Sequence, residues 1–485
     1  MAHPLDIEVD LAVIGAGGAG LFTALTAAQR GGRVALISAT PLAETASYWA
    51  QGGLAAALAM DDSPAQHVAD TMAAGRGLVR HSAAETLCED APDRVRELVS
   101  LGVRFDADRF GRLALGLEGG HSVRRVVHAG GSATGRRMSR ELSSLVALEP
   151  AIEVLERRRA AELWTTDGRC VGLVCDDGRT VAARAVVLAT GGAAAMWSRT
   201  TNPPGAFGSG MLLALRAGAA LADLELMQFH PTALVNADRS DGFLVTEAIR
   251  GEGATLHDAA GERFVDELAP RDEVARAIQA ELEATGAASV GLDMRAVDPA
   301  RFPNIVSALR AVGIDPERDL VPVAPAAHYL MGGTQAGLDG RTTVPGLYAV
   351  GECACTGLHG ANRLASNSLS ECIVFGRRAA IAALEEPLWR RGQPPVPVED
   401  GVAPPTWETR VALWRGAGLV RDRASLEPLL GDPHPLARLI AACALARHES
   451  RGAHRRTDFP ETDPALDLHH TVVRSAADPA LERWE

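Results

Sequence analysis

Apolar runs closed by glycine clusters punctuate the chain. Residues 9–14 (Val-Asp-Leu-Ala-Val-Ile) predict a short buried strand, and the Ala/Leu-rich stretch from Leu21 to Gln29 predicts a helix. Gly31-Gly32 ends that helix, and Arg33-Val34-Ala35-Leu36-Ile37 predicts the next strand. Two later apolar runs end the same way: Ala185 to Ala189 before Thr190-Gly191-Gly192, and Gly346-Leu347-Tyr348-Ala349-Val350 before Gly351-Glu352. Strand ends at 14, 189 and 350 predict one α/β domain assembled from separated stretches.

Residues 224–329 mix helical and polar patterns and predict an inserted α+β domain that caps the first. Gly392-Gln393-Pro394-Pro395-Val396-Pro397 and Pro404-Pro405 read as a linker. Trp407 to Ala453 carries a helical pattern, and the last thirty residues look irregular. The expected boundaries are 1–223 and 330–390 for the two parts of the first domain, 224–329 for the cap and 403–485 for a C-terminal helical domain.

The first strand and helix are joined by Gly15-Ala16-Gly17-Gly18-Ala19-Gly20, a G-x-G-x-x-G in a complete βαβ unit. The glycines supply a tight turn, close approach to a pyrophosphate and close helix–strand packing, and the helix N-terminus favours the anion. Without a ligand, the same run would be only a Gly-rich turn. The acid that usually grips an adenosine ribose after the second strand is absent, since Ser38 and Ala39 follow Ile37. NAD is therefore not supported, and the late strand ending in Thr-Gly-Gly points to a discontinuous Rossmann-like FAD-binding domain.

Composition narrows the chemistry. The chain has 485 residues, enough for roughly three domains. Its 48 basic residues against 61 acidic ones give a net charge of −13, which argues against nucleic acid as a partner. None of the basic residues is a lysine, so a Schiff-base lysine and a P-loop lysine are both excluded. Seven cysteines without paired C-x-x-C motifs fit neither a disulfide framework nor a zinc ribbon, and Cys353 with Cys355 is too small a set for a metal. The N-terminus lacks a basic segment followed by an apolar one, and no stretch suits a membrane span. The expectation is a cytoplasmic enzyme with no membrane partner.

Four glycine-flanked clusters carry candidate chemistry. They are Glu118-Gly119-Gly120-His121-Ser122; Gln228-Phe229-His230-Pro231-Thr232 with Thr246-Glu247 and Arg250-Gly251-Glu252-Gly253; Leu268-Ala269-Pro270-Arg271-Asp272; and His328-Tyr329 with Leu358-His359-Gly360-Ala361-Asn362-Arg363-Leu364-Ala365-Ser366-Asn367-Ser368-Leu369. Singly, each has a plain structural explanation, such as a loop histidine or a surface ion pair of little worth. Together they suggest an anion pocket, because planar Arg suits a carboxylate and His adds a neutral or positive donor.

On these motifs the chain resembles the L-aspartate oxidases, within the flavoprotein family that also holds succinate dehydrogenase and fumarate reductase flavoprotein subunits. Ser47-Tyr48-Trp49-Ala50-Gln51-Gly52-Gly53-Leu54-Ala55, His230-Pro231-Thr232-Ala233-Leu234, Leu268 to Asp272, Leu358 to Leu369 and Arg447-His448-Glu449-Ser450-Arg451-Gly452-Ala453-His454 follow the family order. The resemblance implies oxidation of L-aspartate to 2-iminosuccinate, the first step of de novo NAD synthesis, with O2 or fumarate reoxidising the flavin. A quinolinate synthase is the protein partner it suggests.

The resemblance also implies roles. Covalently flavinylated members carry a His where Ala46 stands, five residues before Gln51, so FAD is expected to bind noncovalently. The expected cofactor residues are Gly15, Ala16, Gly17, Gly18, Ala19, Gly20, Ser38, Ala39, Ala46, Ser47, Ala50, Gln51, Gly52, Gly53, Ser209, Glu352, Ser368 and Leu369. Ser209 departs from the family's usual Gly-Asp-Gly, while Glu352 is expected on the flavin's ribityl or ribose hydroxyls. Arg363 and His328 would hold one substrate carboxylate and His230 with Thr246 the other. Glu118 would accept the amine's proton; Arg271 would be the acid for fumarate and an electrostatic aid for aspartate. The alternatives are a soluble fumarate reductase or succinate dehydrogenase flavoprotein subunit, or a flavin-binding scaffold without chemistry.

Overall fold

The strand Ile7–Ile14 runs between two parallel neighbours, Val34–Ser38 and Thr180–Leu188, with Leu11 facing Val34 on one side and Ala185 on the other. The computed structural model describes residues 6–42, 44–236, 241–396, 402–474 and 478–485. Residues 1–5 and the linker's Pro397 lie outside them.

The sheet has seven strands. Ile152–Glu156 extends it beyond Val34–Ser38, and Leu347–Ala349 joins Thr180–Leu188 in parallel. A distant segment thus completes the nucleotide sheet, as the repeated strand-then-glycine pattern predicted. Helices cover the sheet and bury its strands on both faces, which is why their sequences are almost uniformly apolar. The helix Gly18–Gln29 packs against Asn367–Leu384 and Thr134–Leu148.

That helix begins at Gly18, three residues before the periodic apolar run. The glycine turn makes this possible. Gly15 has φ +108°, and a Cβ there would stand 2.2 Å from Ala189 O. A Cβ on Gly20 would stand 1.8 Å from Gly15 O, so helix and turn close only on glycine.

The cap is a four-stranded antiparallel sheet, ordered Met227–Leu234, Val321–Leu330, Val290–Asp293 and Thr255–His257. Val274 and Ile278 of the helix Arg271–Thr285 bury against it, with Ile305 and Leu309 of Pro303–Ala311. The pairing of Met227–Leu234 with Val321–Leu330 is interrupted at Gln228/Phe229 and again between His230 and Ala233, where Pro231 cannot donate to the ladder.

After the linker, Trp407–Gly416 and Pro435–Ala446 are helical. The tail departs from the sequence expectation of irregular structure. His469–Val473 and Ala480–Arg483 pair with each other, and the first also pairs with Leu221–Ala222. These strands are short, which hid them from a periodicity reading. Buried ion pairs tie the region down: Arg447 donates to Glu225 at 2.8 Å and to Glu449 at 2.9 Å.

Candidate active site

A single cavity of about 620 Å³ runs from the glycine turn to the cap. Gly15, Ala16, Gly17, Gly18, Ala19, Ser38, Ala39, Ala46, Ser47, Ala50, Gln51, Gly52, Gly53, Ser209, Glu352, Ser368 and Leu369 all line it. Gly20 lies beneath the turn instead and acts through packing. The same wall includes His230, Thr246, Arg271, His328 and Arg363.

The residues present fit a dinucleotide. The helix Gly18–Gln29 has no side-chain cap at Gly17, and Gly17, Gly18 and Ala19 line the cavity, so a helix N-terminus borders it; Gly18 N donates to Ser47 Oγ at 2.9 Å. Thr45 Oγ1 and Gln51 Oε1 are buried on the wall without a partner among the described residues. Glu352 accepts from Leu330 N at 3.0 Å, and burial pushes its carboxyl up to about 7 despite the nearby Arg363.

At the cap end, two guanidinium groups converge on one oxygen. Gln228 Oε1 accepts from Arg271 Nη1 at 3.2 Å and from Arg363 Nη2 at 3.1 Å. Gln228 is buried behind the cavity wall, where Arg271 and Arg363 reach it. Its Nε2 donates to Asn362 Oδ1 at 3.0 Å and to Arg363 O at 2.8 Å, which fixes which end is the carbonyl. Arg363 also lies over the Tyr329 ring, 4.4 Å from its centroid, and donates to Ser368 Oγ at 2.6 Å. Burial, then the charge of Arg271, pulls the Arg363 pKa down to about 10, leaving a cation at neutral pH.

Arg271 opens its helix and donates Nε–H to Glu247 Oε2 at 2.5 Å. Glu247 Oε1 accepts from Gly119 N at 2.8 Å, joining the first sequence cluster to the second and third.

The two imidazoles stand edge to face, their centroids 5.1 Å apart. His230 Nδ1 accepts the Thr232 N–H at 3.2 Å, which leaves Nε2 as the protonated, donating nitrogen. His328 Nδ1 is held by Thr201 Oγ1 at 2.8 Å. Burial first, then the neighbouring cations, push both histidines well below their ordinary value. Of the neutral or positive donor left open by the sequence, the structure has the neutral one. The positive charge rests on the arginines.

Glu118 stands one side chain behind the wall. Its Oε2 accepts from Ser366 Oγ at 2.6 Å and its Oε1 is 3.1 Å from His128 Nε2. Burial raises its pKa, but His128, Ser366 and Arg271 together outweigh that and hold it at about 2, so it is ionised. Sequence reasoning did not single out Gln228, Glu247, Thr201 or Ser366 for the roles the geometry gives them, although all but Thr201 lay inside its clusters. Their polar side chains beside His and Arg in otherwise apolar stretches were the available signal.

No helix among the described residues is long and apolar enough to cross a membrane. The FAD binding domain family matches residues 10–369, and the fumarate reductase flavoprotein C-terminal family matches residues 429–484. L-aspartate oxidase of Caulobacter vibrioides is 46% identical, the match covering 97% of each chain. That of Streptomyces coelicolor is 42% identical over 98% of this chain and 93% of its own. An E. coli quinol fumarate reductase FrdA chain superposes with a TM-score of 0.89 at 29% identity, covering 99% of this chain and 97% of that one. The Mycobacterium smegmatis Sdh1 complex gives 0.85 at 32% identity, with 99% and 95% covered. Sequence likeness over nearly the full length, with the FAD-binding cavity and its arginine-lined end, makes this chain a member of the L-aspartate oxidase family.

Proposed function

We propose that the chain oxidises L-aspartate to 2-iminosuccinate with noncovalently bound FAD, and that O2, yielding H2O2, or fumarate takes the electrons on. The observation that carries this is the single cavity joining the glycine turn to Arg271, Arg363, His230 and His328. A four-carbon dicarboxylate needs cationic or donating groups at two ends, and this wall supplies them. Bound FAD supplies the hydride acceptor.

Arg363 and His328 clamp one carboxylate, and His230 with Thr246 holds the other. Holding both ends orients the reacting carbon, a source of up to ~7–11 kcal/mol in well-oriented model reactions. The amine must lose a proton before the carbon–nitrogen double bond forms. Glu118, ionised behind Ser366, draws that proton away from the cavity. Arg271 donates toward fumarate when that is the acceptor, and otherwise stabilises negative charge. Ala46 on the wall offers no imidazole for a covalent flavin link.

By family analogy the enzyme works in the cytoplasm, at the first step of NAD synthesis, and passes its product to a quinolinate synthase. Anaerobic addition of L-aspartate should bleach the flavin's visible absorbance, and air should restore it with one H2O2 per turnover. Bleaching by succinate but not by aspartate would instead assign a fumarate reductase or succinate dehydrogenase.

A further inference from the structure

We propose that Ser366, Glu118 and His128 form a proton exit from the substrate cavity into a second cleft on the far side of the Glu118 loop. The inference rests on the aspartate oxidase reading and adds to it the route by which the amine's proton leaves.

The contacts are continuous. Ser366 lines the substrate cavity and takes an N–H from Gly53 at 3.0 Å while donating to Glu118. Among the described residues the Glu118 carboxylate has two hydrogen-bond partners, Ser366 on one oxygen and His128 Nε2 on the other. The His128 ring lines a separate cleft of about 750 Å³ between the nucleotide domain and the cap. Its Nδ1 has no protein partner among the described residues and lies against Gly116, where a Cβ would come within 3.0 Å of it. Gly116 lines the same cleft.

In the step itself, an N–H bond of the substrate ammonium breaks as an O–H bond forms at Ser366 Oγ. The serine's own proton passes to Glu118 Oε2. Glu118 hands a proton on to His128 Nε2 as the Nδ1 proton leaves to water in the cleft, so one proton enters and one leaves, and exchange with that water restores the starting tautomer. The charges around the pair favour that direction. Arg271 and Arg250 of the cap lie near Glu118, and His121 of the same loop, pushed down by burial, adds no charge there. Arg136, Arg137, Arg140 and Arg301 outnumber Asp106 and Glu252 on the outer cleft, a positive field that repels a released proton outward into solvent. His128 is a positioning residue, since it acts through Glu118.

The test uses the holoenzyme with His128→Gln and, separately, Ser366→Ala, following anaerobic flavin reduction by aspartate in a stopped-flow instrument. At neutral pH each variant should be slower by about tenfold or more. Above the substrate amine's own pKa the substrate arrives neutral, and the gap to wild type should close. Fumarate-driven reoxidation of chemically reduced flavin should stay at the wild-type rate in His128→Gln, which also shows that this variant is folded; for Ser366→Ala a wild-type flavin absorbance spectrum shows the same. A variant that keeps the wild-type rate, or loses it equally at both pH values, overturns the relay. A wild-type flavin that aspartate leaves oxidised defeats the activity itself, and the relay with it.

Discussion

Arg271 and Arg363 share a single acceptor, Gln228 Oε1, at 3.2 and 3.1 Å. Two like charges brought together in a buried wall repel one another, and the shared carbonyl dipole offsets part of that repulsion while keeping both forks aimed at the cavity. Gln228→Glu places a full negative charge at that point. It should hold the guanidinium groups more tightly but neutralise the field that a dicarboxylate needs. We expect succinate affinity to fall by about tenfold or more. Titration of the flavin spectrum with succinate measures it, and an unchanged Kd would refute the bridging role.

The histidines lead to a prediction about pH. His230 and His328 sit well below their ordinary value, burial being the main cause, so both are already neutral in the free enzyme at neutral pH. Histidines charging near 6.5 would strengthen anion capture as pH fell through that value. Here the profile of kcat/KM for fumarate should instead stay level from about pH 8 to pH 6. A limb near 6.5 that disappears in His230→Asn would contradict the neutral assignment.

Glu352 reverses the usual sign for a carboxylate. Burial raises it to about 7 in the folded protein, above its ordinary value of 4.5. An acid whose folded pKa is raised is no handicap while both states are protonated, below the ordinary value. The handicap grows as pH rises and levels off above the folded value. In flavin-free protein, Glu352→Gln should therefore raise Tm at pH 8 and leave it unchanged near pH 4. The gain is about 1–3 kcal/mol, the lower end reflecting the side chain's place on the cavity wall. A gain of equal size at both pH values would remove protonation as the cause.

The parts of this molecule legible in its sequence are those governed by local spacing. The strand–glycine–helix unit is one, because a tight turn and close packing each demand glycine at a fixed position. The interrupted sheet is another, because each returning strand is apolar and ends in glycine, as at Leu347–Ala349. The site was legible as clusters, whose histidines and arginines meet on one cavity wall. What the sequence did not convey was contact between clusters. Nothing in the run around Gln228 says that its carbonyl meets arginines 43 and 135 positions away. Nor does spacing reveal that Glu118 lies behind Ser366, 248 positions on. The tail strands escaped for a different reason: Ala480–Arg483 alternates too briefly to show a period.

Gly119 is held to glycine by a neighbour from the cap. Its N–H donates to Glu247 Oε1 at 2.8 Å, and a Cβ built on it would come within 2.2 Å of the same oxygen. Glu247 in turn fixes Arg271 through Nε. Gly119→Ala should therefore displace the Glu247 carboxylate, cost about 1–3 kcal/mol of stability and leave Arg271 free to swing. The consequence for chemistry is asymmetric. If Arg271 is the proton donor to fumarate, it must be placed to within a fraction of an ångström, whereas aspartate oxidation asks of it only a nearby positive charge. Fumarate-driven reoxidation of reduced flavin should fall by about 10²-fold, and flavin reduction by aspartate by much less. Rapid-mixing measurements of the two half-reactions on the same preparation separate these effects, and equal losses in both would mean that Arg271 serves each in the same way.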